Sequence, residues 1–187
     1  SYDVAIAKWF SDNLGATIPS RLLLSTNTNT PLRYGENPHQ KAAFFPLDHG
    51  RVGVGTARQI QGKELSYNNL NDTDAAFELI GEFDSPAAAI IKHANPCGVA
   101  LGENAAEAYK KALKCDPTSA FGGIVAFNRP IDKTVASEVV KTFSEVIIAP
   151  DASEEAKIVF SAKKNLRLLL TGTMPTSADK SLNVKSI

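Results

Sequence analysis

The stretch AAAIIKHANPCGVA, residues 87–100, runs from five consecutive apolar residues into a lysine, a histidine and, three residues later, a proline. A short apolar run bounded by turn residues is typical of a buried strand. Two ionisable side chains, Lys92 and His93, therefore stand where a buried strand should end. The simplest interpretation is a strand that runs out into solvent, and the alternative is a functional site at the strand end.

Apolar strands alternate with helices on both sides of this stretch. Helices are predicted at residues 2–13, 71–83, 104–115, 132–143 and 153–164, and strands at 41–45, 52–60, 87–93, 121–127, 144–150 and 165–170. Asn71 or Asp72 is predicted to cap the second helix. This alternation favours an α/β fold with a mostly parallel sheet covered on both faces. Ligands of such sheets gather at the carboxyl ends of strands, where Lys92 and His93 are expected.

Composition excludes several classes of partner. Lysine plus arginine and aspartate plus glutamate both number 20 in the 187 residues, so no global field favours nucleic acid or an anionic membrane. The apolar run 87–91 is far shorter than the roughly 20 residues that cross a bilayer. Cys97 and Cys115 are the two cysteines of the sequence and do not suggest a disulfide framework. So few cysteines favour a reducing cytoplasm. The chain fits one domain, and its first residue, Ser1, suggests a fragment.

The Lys92–His93 pair has the residue types needed for proton transfer to or from a reacting group. Imidazole titrates near neutral pH, so His93 is a candidate general base. An ammonium such as that of Lys92 can stabilise a developing oxyanion. Neighbouring residues on a regular strand point to opposite faces, so a shared site requires an irregular strand end. Asn95 and Pro96, which follow at once, favour that irregularity.

Two polar loops offer groups that could bind a nucleotide. LRYGENPHQ, residues 32–40, contains Arg33 for a phosphate and Tyr34 for a hydroxyl contact, or it is an ordinary surface turn. GKELSYNNLND, residues 62–72, contains Asn68 and Asn69. Their amides both donate and accept hydrogen bonds, as reading a carboxamide requires. The alternative is that these asparagines only cap a helix.

A third loop places glycines at the start of a strand. DPTSAFGGIVAF, residues 116–127, contains Phe121 and Gly122, and glycine lets backbone amides approach a ligand closely. The alternative is a simple helix-to-strand turn. Each of these three loops is a weak indication by itself.

A zinc-dependent deaminase is a further alternative because Pro96-Cys97 is similar to its proline-cysteine element. Such a site needs a Cys-x-x-Cys pair, another histidine or cysteine, and a glutamate. Cys97 is followed by Gly98, Val99 and Ala100, and Cys115 is too remote to complete the pair. The sequence also lacks a Walker phosphate loop. We therefore expect no catalytic metal.

Taken together and in order, the loops resemble one known family. The motifs are LRYGENPHQ, GKELSYNNLND, IIKHANPCG, DPTSAFGGIVAFNRPI, IIAPDASEEA and KKNLRLL. They resemble the transformylase domain of the AICAR transformylase/IMP cyclohydrolase family. The resemblance implies transfer of a formyl group from the co-substrate 10-formyltetrahydrofolate to the 5-amino group of AICAR, giving FAICAR in purine biosynthesis. It also implies two cytidine-deaminase-like three-layer α/β/α units without zinc, and active sites formed across a homodimer.

The resemblance further implies roles for individual residues. His93 would help to deprotonate the AICAR amine, and Lys92 would steady the formyl oxyanion. Arg33, Tyr34 and Lys164 would contact the phosphate side of the nucleotide, and Glu145 would contact the ribose. Asn68 and Asn69 would contact the carboxamide. Phe121 and Gly122 would contact the base and the folate. His39 and His49 receive no role.

The resemblance covers only part of the family's pattern. Residues 1–25 would be a helical linker that leaves the cyclohydrolase domain, and residues 26–187 would be the first cytidine-deaminase-like subdomain of the transformylase. The elements that complete the substrate and folate sites would then lie outside this chain. We expect the isolated chain to be inactive, and a non-catalytic nucleotide-binding or assembly module remains an alternative.

Overall fold

A computed structural model of the chain describes residues 2–14, 30–46 and 51–176. The helices are α1 (Tyr2–Asn13), α2 (Tyr67–Gly81), α3 (Ala105–Cys115), α4 (Lys133–Val139) and α5 (Glu154–Ser161), with a 3₁₀ helix at Val54–Thr56. The strands are β1 (Thr30–Leu32), β2 (Ala42–Phe44), β3 (Arg58–Gln61), β4 (Ala87–Lys92), β5 (Asn95–Leu101), β6 (Gly123–Phe127), β7 (Ser144–Ala149) and β8 (Arg167–Leu170).

Six of these strands form one mixed sheet. Their order is β3-β8-β7-β6-β4-β5, and β1 pairs with β2 in a separate two-stranded sheet. Only β6–β7 and β7–β8 are parallel, whereas β3–β8, β4–β5 and β4–β6 are antiparallel. The α/β class is confirmed, but the sheet is less parallel than expected. The cause is β5, which returns beside β4 after a two-residue turn and so forms a hairpin where the sequence suggested a loop.

Helices cover both faces of the six-stranded sheet. Side chains from alternate residues of each central strand enter different apolar clusters. One cluster contains Ala88, Ile90, Val125, Phe127, Ile147, Leu168 and residues of α3, α4 and α5. The other contains Ala87, Ala89, Ile91, Ile124, Val146, Leu169 and residues of α2. This period of two is what a strand buried on both faces produces. The result, over the described residues, is a three-layer arrangement in which α2 and Val54 of the 3₁₀ helix pack on one face.

Helix α2 begins earlier than the sequence predicted. The Ser66 hydroxyl accepts a hydrogen bond from the Asn69 backbone N–H at 3.1 Å, and the Asn69 side-chain oxygen accepts one from the Ser66 N–H at 3.2 Å. This reciprocal capping box satisfies two backbone donors that a helix start leaves open. The prediction that Asn71 or Asp72 caps the helix is therefore wrong, because both lie inside it.

Two predicted strands differ in extent or pairing. Residues 52–60 do not form one strand, because a 3₁₀ helix precedes β3 at a segment that contains Gly53 and Gly55. Glycine packs no side chain and weakens a strand. The predicted strand at 41–45 exists as β2 but lies in the small ribbon outside the main sheet.

Helix α1 is confirmed over the predicted range, and its aromatic side chains are exposed: Tyr2 by 80% and Trp9 by 60%. The expected boundary between a linker and a subdomain, at residues 25 and 26, lies outside the described residues. His49 lies outside them as well.

Strand directions decide where the Lys92–His93 pair stands in the sheet. The pair follows the carboxyl end of β4, as predicted. However, β4 runs antiparallel to β6, so this end lies beside the amino ends of β6, β7 and β8. Helices α4 and α5 begin at the opposite edge, where β6 and β7 end. Helix α2 follows β3, which is antiparallel to β8, and therefore begins at the same edge as the pair.

Helix α3 packs very closely on β5 at Gly98. A Cβ atom on Gly98 would lie 2.0 Å from the Ala112 carbonyl oxygen. We expect Gly98→Ala to lower the free energy of unfolding by about 1–3 kcal/mol, since overpacking against backbone forces the layers apart. Urea denaturation measures the change. Gly53→Ala is the matched control, because no atom lies within 4 Å of its added Cβ and its φ of 178° is extended. Equal stability of the two variants would contradict the close contact.

Candidate active site

The turn between β4 and β5 consists of His93 and Ala94. Lys92 pairs with Asn95 across the hairpin, and the two residues between them have φ values of 53° and 56°. Two central residues at positive φ are typical of a type I′ turn, which prefers Asn-Gly. Neither His93 nor Ala94 is glycine, so each carries a conformational cost on the order of 1 kcal/mol. The predicted break in regular β geometry after Lys92 is confirmed.

The carboxylate of Asp72, in the second turn of α2, holds this turn. Its Oδ2 accepts a hydrogen bond from the His93 N–H and its Oδ1 accepts one from the Ala94 N–H, both at 2.9 Å. On the other side, the Asn95 side-chain amide donates to the His93 carbonyl at 2.7 Å. Both peptide groups that flank the His93 Cα are thus fixed by side chains.

The two members of the pair differ in exposure. Lys92 is half-buried, and its Nζ donates a hydrogen bond to the Phe121 carbonyl oxygen at 3.0 Å. His93 is exposed at the tip of the hairpin. Burial raises the pKa of the nearby Cys97 thiol, Asp116 raises that pKa further, and the Lys92 ammonium lowers it. Neither Lys92 nor His93 is sealed in the apolar interior.

The first turn of α2 contacts two other segments that the resemblance marks. The Asn68 amide donates to the Glu36 carbonyl oxygen at 3.3 Å, which joins α2 to the loop that carries Arg33 and Tyr34. The Arg33 guanidinium lies 5.5 Å from the centroid of the Tyr34 ring. Arg33 itself is exposed and accessible to a ligand.

The Asn69 amide donates to Glu145 Oε2 at 2.8 Å. Glu145 reaches α2 because of an irregularity in β7: Gly123 pairs with Ser144 and Ile124 pairs with Val146, which leaves Glu145 without a partner in the ladder. An extra residue of this kind re-aims a side chain. Arg167 Nη1 stands 3.9 Å from the same Glu145 oxygen, on the α2 face of the sheet.

Asn68 and Asn69 differ in what they could offer a ligand. Asn69 is only 4% exposed, its side-chain oxygen completes the capping box, and its amide nitrogen serves Glu145. Asn68 is exposed. The Asn68 side chain is therefore accessible to a ligand, whereas the hydrogen-bonding groups of Asn69 are already used by Ser66 and Glu145.

Phe121 and Lys164 line a separate groove of about 410 Å³ between β7 and the ends of α4 and α5. Phe121 is 60% exposed, and its ring lies 5.3 Å from that of Phe143. Gly122, with a φ of 77°, donates its N–H to the Phe143 carbonyl at 2.8 Å. Lys141 and Lys163 also line the groove, and the Lys141 ammonium is paired with Glu138 at 2.9 Å. Lys92 joins the groove to the hairpin through Phe121.

A family model described as "AICARFT/IMPCHase bienzyme" matches residues 1–187 of this chain. The chain belongs to the AICARFT/IMPCHase family. It is 59% identical over 187 residues to the bifunctional purine biosynthesis protein PurH of Rhodospirillum rubrum, and 57% identical over 190 residues to that of Caulobacter vibrioides. The PurH of Brucella ovis is 55% identical over 190 residues. All of this chain is covered, but only 35–36% of each relative.

Membership of the AICARFT/IMPCHase family confirms the resemblance found in the sequence. The roles of the individual residues in this chain remain predictions. The sequence assigned no role to Asp72 beyond capping, and none to Arg167. A usable signal for Asp72 was its spacing, because residues 68, 69 and 72 lie near one another on a helix.

The described residues were compared with the requirements of a metal site and of a membrane-spanning helix. Within residues 2–14, 30–46 and 51–176, no group of three or more histidine, cysteine, aspartate and glutamate side chains could hold a metal ion. Over the same ranges, each helix is too short or too polar to cross a membrane.

The Cys97 thiol reports on the charge of Lys92. A raised thiol pKa means a smaller thiolate fraction at a given pH and slower alkylation. Lys92→Met removes the charge that lowers this pKa, so Cys97 should react more slowly with iodoacetamide at about pH 8, near the usual thiol pKa. Asp116→Asn removes a charge that raises it, so Cys97 should react faster. Peptide mapping by mass spectrometry separates Cys97 from the exposed Cys115.

The control for this experiment is Lys133→Met, at the start of α4 on the opposite edge of the sheet. It should leave the alkylation rate of Cys97 unchanged. Equal rates in the Lys92 and Lys133 variants would contradict the position assigned to the Lys92 ammonium.

The Asn69–Glu145 contact can be tested by exchanging the amide and carboxylate groups of the two side chains. Asn69→Asp opposes two carboxylates in a half-buried place, and we expect it to destabilise the fold by roughly 1–3 kcal/mol. Adding Glu145→Gln supplies a donor that faces the introduced carboxylate and should recover much of that loss. Urea denaturation of the two single variants and the double variant forms a double-mutant cycle. Strict additivity would mean that the two side chains do not interact.

Proposed function

We propose that this chain carries part of an active site that transfers a formyl group from 10-formyltetrahydrofolate to the 5-amino group of AICAR, giving FAICAR. One structural observation supports the proposal in addition to family membership. The first two turns of α2 hydrogen-bond three segments that are far apart in sequence: the loop of Arg33 and Tyr34, β7 at Glu145, and the His93 turn. The segments that carry the candidate substrate-binding and proton-transferring residues thus all contact the start of one helix, which supports the proposal.

The nucleotide would bind beside the start of α2, at the edge of the sheet that carries the Lys92–His93 pair. Arg33 is exposed and has the fork geometry that binds phosphate, with Tyr34 beside it. Asn68 would read the carboxamide. Glu145 keeps lone pairs beyond its bond from Asn69 and would accept a hydrogen bond from a ribose hydroxyl.

The chemical step would use the hairpin. The AICAR amine is conjugated to a ring that carries a carboxamide, so it is a poor nucleophile and needs positioning and proton removal. The amine nitrogen attacks the formyl carbon while His93 takes an N–H proton. Lys92 steadies the oxyanion that forms. The bond from the formyl carbon to the folate nitrogen then breaks, and that nitrogen leaves with the proton that the His93 imidazolium returns.

The folate half would lie towards the groove of Phe121 and Lys164. The exposed Phe121 ring offers a flat apolar contact, and Gly122 lets the backbone come close. Lys164 and its neighbours supply positive charge for an anionic part of either substrate. No step of this chemistry is assigned to a metal.

We extend the proposal to the architecture of the longer relatives. Residues 1–25 would serve as a helical linker, and residues 26–187 would form the first of two cytidine-deaminase-like subdomains in a cytoplasmic homodimer with shared active sites. The chain spans only 35–36% of its relatives, so the same residues could instead bind nucleotide without turnover. Titration calorimetry of the 187-residue chain with AICAR tests nucleotide binding, and a formyl-transfer assay on a full-length chimera separates the two functions.

The sharpest test replaces the histidine without disturbing the turn. In a chimera, residues 1–187 replace the matching segment of Rhodospirillum rubrum PurH, which is 59% identical. We expect the chimera to form FAICAR and His93→Asn to lower kcat roughly 10²- to 10⁴-fold, with AICAR affinity nearly unchanged. Asparagine is chosen because it tolerates positive φ.

Lys133→Asn, at the opposite edge of the sheet, is the control and should keep normal kcat. Near-normal turnover by the His93→Asn chimera would rule out His93 as the base. A wild-type chimera that binds AICAR but forms no FAICAR would support the non-catalytic module instead.

A further inference from the structure

We propose that Asp72 is a positioning residue for His93: its carboxylate fixes the turn from which the imidazole projects. The inference rests on the proposed function for its catalytic consequence. Its structural part, that Asp72 holds residues 93 and 94 in their conformation, stands on the contacts alone.

The turn needs outside support because its own sequence does not favour it. Two-residue hairpin turns with positive φ at both positions are normally built from asparagine and glycine. Here a histidine and an alanine occupy them, with φ of 53° and 56°. A conformation that is unfavourable for both residues persists only where surrounding contacts impose it, and such places concentrate at functional sites.

Asp72 supplies contacts of the required strength. Each carboxylate oxygen accepts one backbone N–H, from His93 and Ala94, both at 2.9 Å. Hydrogen bonds to a carboxylate are about twice as strong as those between neutral groups. Because each oxygen serves the backbone, Asp72 acts by orientation. Asn95 fixes the carbonyl of His93 from the other side, so the imidazole departs from a backbone held at both of its peptide groups.

The position of Asp72 on α2 ties this turn to the rest of the site. Asp72 lies one helical turn after Asn68, which holds the loop of Arg33, and three residues after Asn69, which holds Glu145. A rigid helix thus sets the spacing between the candidate base and the candidate nucleotide contacts. Removing the carboxylate should free the base while leaving those contacts in place, so kcat should fall and KM should stay.

The first experiment uses the 187-residue chain and needs no activity. Amide hydrogen exchange by NMR should show that His93 and Ala94 lose protection by about tenfold or more in Asp72→Ala, while amides of β7 and β8 keep theirs. Adding Ala94→Gly should leave these two amides unprotected, because glycine supplies no acceptor, but it should relieve the strain of the turn, because glycine adopts positive φ without strain. Asp72→Asn keeps one acceptor oxygen and should lose protection at only one of the two amides.

The second experiment uses the PurH chimera. Asp72→Ala should lower kcat roughly 10- to 100-fold with the KM for AICAR within about threefold of normal, and Asp72→Ala combined with Ala94→Gly should recover part of that loss. Asp74→Ala, two residues away on α2, is the matched control and should keep normal kcat. Recovery by a glycine that carries no functional group would point to turn geometry as the cause.

The outcomes separate the two proposals. A wild-type chimera that forms no FAICAR overturns the proposed function, and normal turnover by the His93→Asn chimera overturns His93 as the base; in both cases the exchange data still decide whether Asp72 holds the turn. If His93→Asn abolishes turnover but Asp72→Ala leaves kcat and protection unchanged, the positioning role is wrong. If Asp72→Ala fails to fold, the Asp72→Asn variant decides. If both amides of this variant keep the protection that they have in the unsubstituted chain, and kcat is normal, the inference is wrong.

Discussion

The reciprocal capping box between Ser66 and Asn69 is the constraint on which the candidate site depends. It starts α2 at Tyr67 and so places Asn68, Asn69 and Asp72 in the first two turns, at one edge of the sheet. Had the helix begun at Asn71, the two asparagines would belong to an irregular loop with no fixed direction. By fixing the start of α2, the cap positions side chains that contact a surface loop, a central strand and a hairpin.

The same edge has an unusual electrostatic character for an α/β sheet. In doubly wound sheets, the helix starts that attract anions cluster at the carboxyl ends of parallel strands. Here α3, α4 and α5 begin at the far edge, and of the described helices that follow a strand of this sheet only α2 begins where the candidate residues lie. The carboxyl ends of helices carry partial negative charge and do not favour an anion. An anionic substrate at this edge would therefore depend on side-chain cations, which Arg33, Lys92 and Lys164 could supply.

Much of the layer architecture could be predicted from the sequence, because short apolar runs at residues 87–91 and 144–150 alternate with helical patterns such as residues 104–115. The hairpin could not, since Pro96 and Gly98 suggest a loop and the His93-Ala94 turn lacks the Asn-Gly pattern. Several candidate residues were identified through motif resemblance, and α2 joins the segments that carry them. The spacing of Asp72 from Asn68 and Asn69 indicated a shared helix face, but its hydrogen-bond donors could not be predicted, because they are backbone N–H groups of residues distant in sequence. Lys164 lies in a groove with Phe121, apart from the contacts of α2.

The unpaired position of Glu145 in the β7 ladder restricts how this segment could vary among family members. Substitutions along β7 preserve its pairing with β6, but deletion of a single residue at the irregularity would restore a continuous ladder. The carboxylate would then turn towards the layer of α3, α4 and α5, and Asn69 would face apolar side chains. Length changes in this strand should accordingly be rarer than changes of residue type, and any homologue that shortens it must obtain its acidic group from another element.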